Sequence, residues 1–123
     1  MSKMTAMAAG TMLAASLFSS VACAHPELLS AEPAAGAAAE TSPKQIRIAF
    51  TEAVIPQFSG AEVKDQTGKT IAMGKATVDP ANRKQLVVPV NEPLPPGEYK
   101  VEWHAVSDDT HRVKGSYSFR VAH

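Results

Sequence analysis

Cysteine is nearly missing from this sequence: of 123 residues only Cys23 carries a thiol. No disulfide can form within the chain, so a folded domain of this size rests on its hydrophobic core. Aromatic residues are few, at 6%, which leaves little from which to build a sugar-binding face. Neither charge is in excess, with 12 Lys and Arg against 12 Asp and Glu. No basic patch stands out, which argues against a nucleic-acid partner. A long hydrophobic run is absent too. The most apolar stretch, Met7 to Val21, falls short of the roughly 20 residues that cross a bilayer, and no charged stop-transfer flank follows it. Methionine also thins out, and beyond Met12 only Met73 remains.

What the first residues do hold is an export pattern. Lys3 gives a positive start, the apolar run follows, and Ala22-Cys23-Ala24 supplies small residues in the A-x-A form that signal peptidase cuts. The pattern predicts a cleaved secretory signal over residues 1–24 and a folded domain over 25–123. The competing reading makes Cys23 the lipid-modified cysteine of a lipoprotein, which would leave His25 inside the chain. Against it, Ser20 stands where such signals usually carry Leu.

All nine prolines lie beyond the cut, and that density breaks helices. Between the breaks the apolar pattern has period two. Ile46, Ile48 and Phe50 alternate along Gln45–Phe50, and Gln85–Val90 is a second β-rich run. Tyr99, Val101, Trp103 and Ala105 alternate inward along Tyr99–Ala105, as do Tyr117, Phe119 and Val121 along Ser116–Val121. These are half-buried strands. Weaker strands are expected at Leu28–Ser30, Ala61–Lys64, Lys69–Met73 and Ala76–Val78, with Asp65-Gln66-Thr67-Gly68 as a hairpin turn. Pro93–Gly97 reads as a rigid turn, and Pro33–Glu40 as a loop or a single turn. About seven short strands describe an all-β, immunoglobulin-like Greek-key sandwich or barrel.

The chemistry concentrates at two places. After cleavage the chain would begin His25-Pro26. A terminal His offers its α-amine and ring Nδ1 together, closing a six-membered chelate on one metal ion. Pro26 has no amide N–H to deprotonate, so the amino-terminal site stops at amine plus imidazole. Such a nitrogen pair suits Cu(II), which tops the divalent affinity order. The second place is Asp108-Asp109-Thr110-His111, between two strands. Asp109 and His111 are two apart, so on extended backbone they share a side. Together the set is three nitrogens and one oxygen, a tetragonal Cu(II) environment, and with one Met and no Cys beyond residue 24 a soft Cu(I) site is disfavoured.

Each piece also has an ordinary reading. A His can follow a signal by chance, and Asp-Thr-His in a loop is commonly an Asx turn. His104 falls on the polar face of its strand and reads as solvated, His123 as a frayed terminus, Trp103 as core, and Met73 as an isolated surface or core residue. Two rival functions stay open on the residues alone. One is a copper oxidase or mono-oxygenase using the terminal-His brace, which the small domain and the scarce aromatics disfavour. The other is a metal-free interaction module.

The segments His25-Pro26, Phe50-Thr51-Glu52, Gln57–Ala61, Pro96–Trp103, Ala105–His111 and Gly115–Phe119 together resemble the CopC family of periplasmic copper-resistance proteins. The resemblance covers nearly the whole of residues 25–123. It implies a Greek-key β-sandwich, a periplasmic location, and one Cu(II) bound without catalysis by His25, Asp109 and His111, with Glu52 near the metal. Some family members carry a second, Cu(I) site in a Met-rich loop. The corresponding region here, roughly Lys69–Ala76, holds only Met73 and no His, so the resemblance is to the one-site, Cu(II)-only type. A CopD-type inner-membrane partner is implied as well.

Overall fold

The computed structural model describes residues 26–122. The expected signal segment, its cut, His25 and His123 lie outside the described residues. Within them the chain forms eight strands and no α-helix: β1 Leu28–Glu32, β2 Ala38–Ala39, β3 Gln45–Phe50, β4 Gly60–Asp65, β5 Thr77–Asp79, β6 Asn82–Pro89, β7 Gly97–Val106 and β8 Arg112–Val121. A single 3-10 turn, Pro56–Phe58, precedes β4. The strands make two four-stranded sheets, ordered β1-β3-β6-β5 and β2-β8-β7-β4. This is the expected all-β sandwich, with one more strand than the sequence pattern suggests.

The alternating residues meet between the sheets. Ile46, Ile48, Phe50, Leu86 and Val88 come from one sheet, and Val63, Val101, Ala105, Phe119 and Val121 from the other, all buried. Each large one contributes about 1.5–3 kcal/mol of transfer free energy. Tyr99 stacks on Phe119 with ring centroids 5.7 Å apart, and its hydroxyl donates to the Pro95 carbonyl. Trp103 is on the inward face but only half-buried. Its ring stands edge-on to Phe50 at 5.3 Å and lies over its cross-strand partner Gly115. A Cβ on Gly115 would come within 2.5 Å of the indole. Tyr117 lies nearby with its hydroxyl buried and without a hydrogen-bond partner among the described residues, and burial pushes its pKa up to about 12.

Three segments depart from the pattern. Lys69–Met73 does not form a strand and makes only isolated bridges, Lys64 with Thr70 and Met73 with Val90. The loop after Pro33 contains the two-residue β2, parallel to β8. The last strand begins at Arg112, four residues before the alternation is clear. The turn at Asp65 is as expected. The Asp65 carboxylate accepts from the Thr67 and Lys69 amides at 2.9 and 3.0 Å, and Gly68 takes φ 89°, where glycine carries no steric penalty.

Candidate metal centre

One end of the sandwich gathers the residues of interest. β7 and β8 pair without a break as far as Val106 opposite Arg112, and Ser107–His111 is the loop that joins them. The loop is closed by its own backbone: the Ser107 amide donates to the His111 carbonyl at 3.0 Å and the Thr110 amide to the Ser107 carbonyl at 2.8 Å. Closure places Thr110 at φ 70°, a left-handed conformation unusual for a β-branched residue.

Within this loop Asp109 Oδ1 lies 3.1 Å from His111 Nδ1, and the two side chains are each about half exposed. The same carboxylate oxygen accepts from the hydroxyl of Ser107, which is only 2% exposed. That hydroxyl bond, with the imidazole's second, holds the Asp109 carboxyl below the usual carboxylate range. Asp109 is thus an anion fixed against a rigid support, with His111 beside it.

The start of the described chain comes to the same end. Pro26 is fully buried. Glu27 is tied to Thr51 twice, its amide donating to the Thr51 hydroxyl at 2.9 Å and its carbonyl accepting from the Thr51 amide at 2.9 Å. Three residues on, Val54 bridges Ser107 and the Ile55 amide donates to the Val106 carbonyl at 2.8 Å. The segment Thr51–Ile55 therefore joins the anchored Pro26-Glu27 to the base of the Asp109–His111 loop.

Of the expected site residues the structure brings Asp109 and His111 into contact. Glu52 is exposed on the connecting segment and makes no hydrogen bond or ion pair among the described residues. No three His, Cys, Asp or Glu side chains converge among the described residues, so Glu52 does not join the pair. His104 is exposed, as expected of the polar face. Met73 is half-buried and packs against the core. Sequence reasoning missed Ser107, Thr51 and Ser59. A serine in a loop carries no signal of its own. Only the fold reveals that Ser107 supports Asp109, that Thr51 clamps Glu27, and that the Ser59 hydroxyl accepts from the Val106 amide at 3.0 Å.

The CopC domain family model matches residues 28–122, nearly every described residue. The chain belongs to the CopC family. Among its CopC-family relatives, copper resistance protein C of Xanthomonas campestris pv. juglandis is 40% identical over 115 residues, covering 89% of this chain and 90% of that one. The crystal structure of CopC from Methylosinus trichosporium OB3b superposes with a TM-score of 0.74 at 31% identity, covering 80% of this chain and 94% of that chain. The crystal structure of PcoC, a methionine-rich copper resistance protein from Escherichia coli, gives a TM-score of 0.70 at 39% identity, covering 80% and 99%. This chain is not methionine-rich, since Met73 is its only methionine after Met12.

Proposed function

We propose that this chain is an exported, periplasmic copper-binding protein that holds one Cu(II) ion for sequestration, resistance or delivery and does no catalysis. Residues 1–24 are the signal removed on export and residues 25–123 the binding domain. The ligands are the α-amine and imidazole of His25 with Asp109 and His111. Glu52 is a weaker candidate, acting through groups around the ion. A CopD-type inner-membrane transporter is the proposed recipient or donor. The copper assignment draws on the names of the relatives, which are copper resistance proteins.

The observation that carries this reading is the Asp109–His111 contact on a closed loop, at the end of the sandwich to which Thr51 ties the buried Pro26-Glu27. A residue bonded to Pro26 has its Cα about 3.8 Å from that of Pro26, which supports placing a terminal His alongside the loop. The donor set fits the ion. A fixed carboxylate, two imidazoles and an amine are hard-to-borderline donors suited to tetragonal Cu(II). Ser107 orients the carboxylate, as outer hydrogen bonds commonly do at metal sites.

The test is a titration of the exported protein with Cu(II), followed by voltammetry. One equivalent binds, and Asp109→Ala weakens binding at least tenfold and raises the copper reduction potential, because the anionic oxygen favours the oxidised ion. An unchanged potential in Asp109→Ala removes Asp109 from the ligand set.

A further inference from the structure

Beside the Asp109–His111 loop, where His104, Arg112 and Lys114 are exposed on β7 and β8, lies a groove of about 320 Å³ lined by Phe58, His104, Ala105, Val106, Arg112, Val113 and Lys114. Its rear wall is the Val106–Arg112 pair, the rung from which the Ser107–His111 loop springs, so groove and loop are continuous. Phe58 is 60% exposed, one of two large apolar side chains so exposed among the described residues. Its backbone is anchored on both sides. Its amide donates to the Ile55 carbonyl at 3.1 Å, and the next residue, Ser59, receives the Val106 amide. On the other side the His104 ring lies on Gly60, its cross-strand partner. A Cβ there would approach the ring at 3.1 Å, so the glycine lets the imidazole lie close to the sheet.

Charge on this face is divided along the strands. Away from the groove the cations have partners: Lys64 and Lys100 pair with Glu102 at 3.3 and 3.4 Å, and Arg120 with Glu98 at 3.9 Å. At the groove, Arg112 and Lys114 are both exposed and neither forms an ion pair among the described residues. Glu62, the other acid on this face, stands opposite Glu102 and does not line the groove. An apolar floor with an exposed phenylalanine and two uncompensated cations matches a surface of the opposite charge carrying an apolar side chain.

We propose that this groove is a docking surface for an acidic protein segment whose apolar side chain seats against Phe58, so that the docked partner faces the Asp109–His111 loop. That the docked partner exchanges copper rests on the function proposed above; the docking surface does not. Rim cations here steer the encounter and weaken with salt, while Phe58 supplies the apolar anchor.

The experiment is an NMR titration of the metal-free protein with a synthetic acetylated peptide of alternating Asp and Glu around one Leu and one Phe. Saturable shifts centred on Phe58, His104, Val113 and Lys114 are expected. Lys114→Glu and Phe58→Ala each weaken binding at least fivefold, whereas Lys84→Glu, an exposed cation on β6, changes it less than twofold. Copper uptake by Lys114→Glu stays that of the parent, so a lost docking surface is distinguishable from a lost metal site. No saturable shift, or shifts spread over all lysines with Lys84→Glu as damaging as Lys114→Glu, overturns the proposal. Phosphatidylglycerol vesicles that bind through Phe58 while the peptide does not would overturn it in favour of an anionic membrane surface.

Discussion

At the residue scale the fold depends on a few close approaches that substitution tests directly. Gly115 leaves room for the Trp103 indole. A Cβ added at Gly115 would stand 2.5 Å from that ring, so the ring itself must move to admit it. Gly115→Ala is therefore expected to destabilise the protein by about 1–3 kcal/mol, the usual cost of overpacking. Thermal unfolding and a shifted Trp103 fluorescence maximum check it. Tyr117 gives the opposite case. Its buried hydroxyl has no partner among the described residues, so Tyr117→Phe removes an uncompensated desolvation and leaves stability at pH 7 unchanged or higher, within about 1 kcal/mol. The sign at alkaline pH follows from its raised pKa of about 12. The folded state holds the phenolic proton more tightly than the unfolded state, whose pKa is about 10. The Tyr117 contribution is thus complete below about pH 10 and is lost as pH rises from about 10 to about 12. Denaturant unfolding across that window should show a loss in the parent that Tyr117→Phe reduces. Asp109 and His111 were legible as residues from their spacing in sequence. Ser107 was not, because its role exists only once β7 and β8 close the loop beneath it.

At the scale of elements, legibility followed the number of inward apolar residues. β3, with Ile46, Ile48 and Phe50 buried, and the second half of β8, with Phe119 and Val121 buried, declare themselves by alternation. The first half of β8 presents only Val113 and the side-chain-free Gly115 inward, so nothing in its sequence marks a strand. Its pairing with β7, part of a ladder of ten rungs along the whole strand, creates it. β2 is likewise a product of tertiary pairing, its neighbourhood joined to β8 by the amides of Gly36, Arg120 and Ala122. Lys69–Met73 failed as a strand although it alternates, because the turn at Asp65 leads into bridges rather than a continuous ladder. The β7–β8 loop carries its own prediction. Thr110 at φ 70° is strained as a β-branched residue, and asparagine tolerates that region better. Thr110→Asn should raise stability by about 0.5–1 kcal/mol by thermal unfolding, with the Asp109–His111 contact preserved in its structure. A loss of stability would show that the Thr110 hydroxyl bond to the Asp109 carbonyl outweighs the strain.

At the scale of the whole molecule, two sheets build a rigid frame, and one end of it holds a carboxylate and an imidazole where Pro26-Glu27, the start of the described residues, is pinned. The frame was readable from period-two alternation and proline density; the meeting of distant segments was not, since it depends on Thr51 and Val54 reaching Glu27 and Ser107. A site that uses a free α-amine, with unperturbed pKa about 7.7–8.0, and imidazoles must shed protons to bind the metal, so copper affinity should fall steadily as pH is lowered below about 8. The most direct measurement compares Cu(II) affinity and the electron paramagnetic resonance spectrum of protein beginning at His25 with those of the same protein carrying one additional residue before it. The added residue, which removes the amine from His25, is expected to weaken binding at least tenfold and to change the spectrum. Equal affinity and an identical spectrum would contradict ligation by the terminal amine.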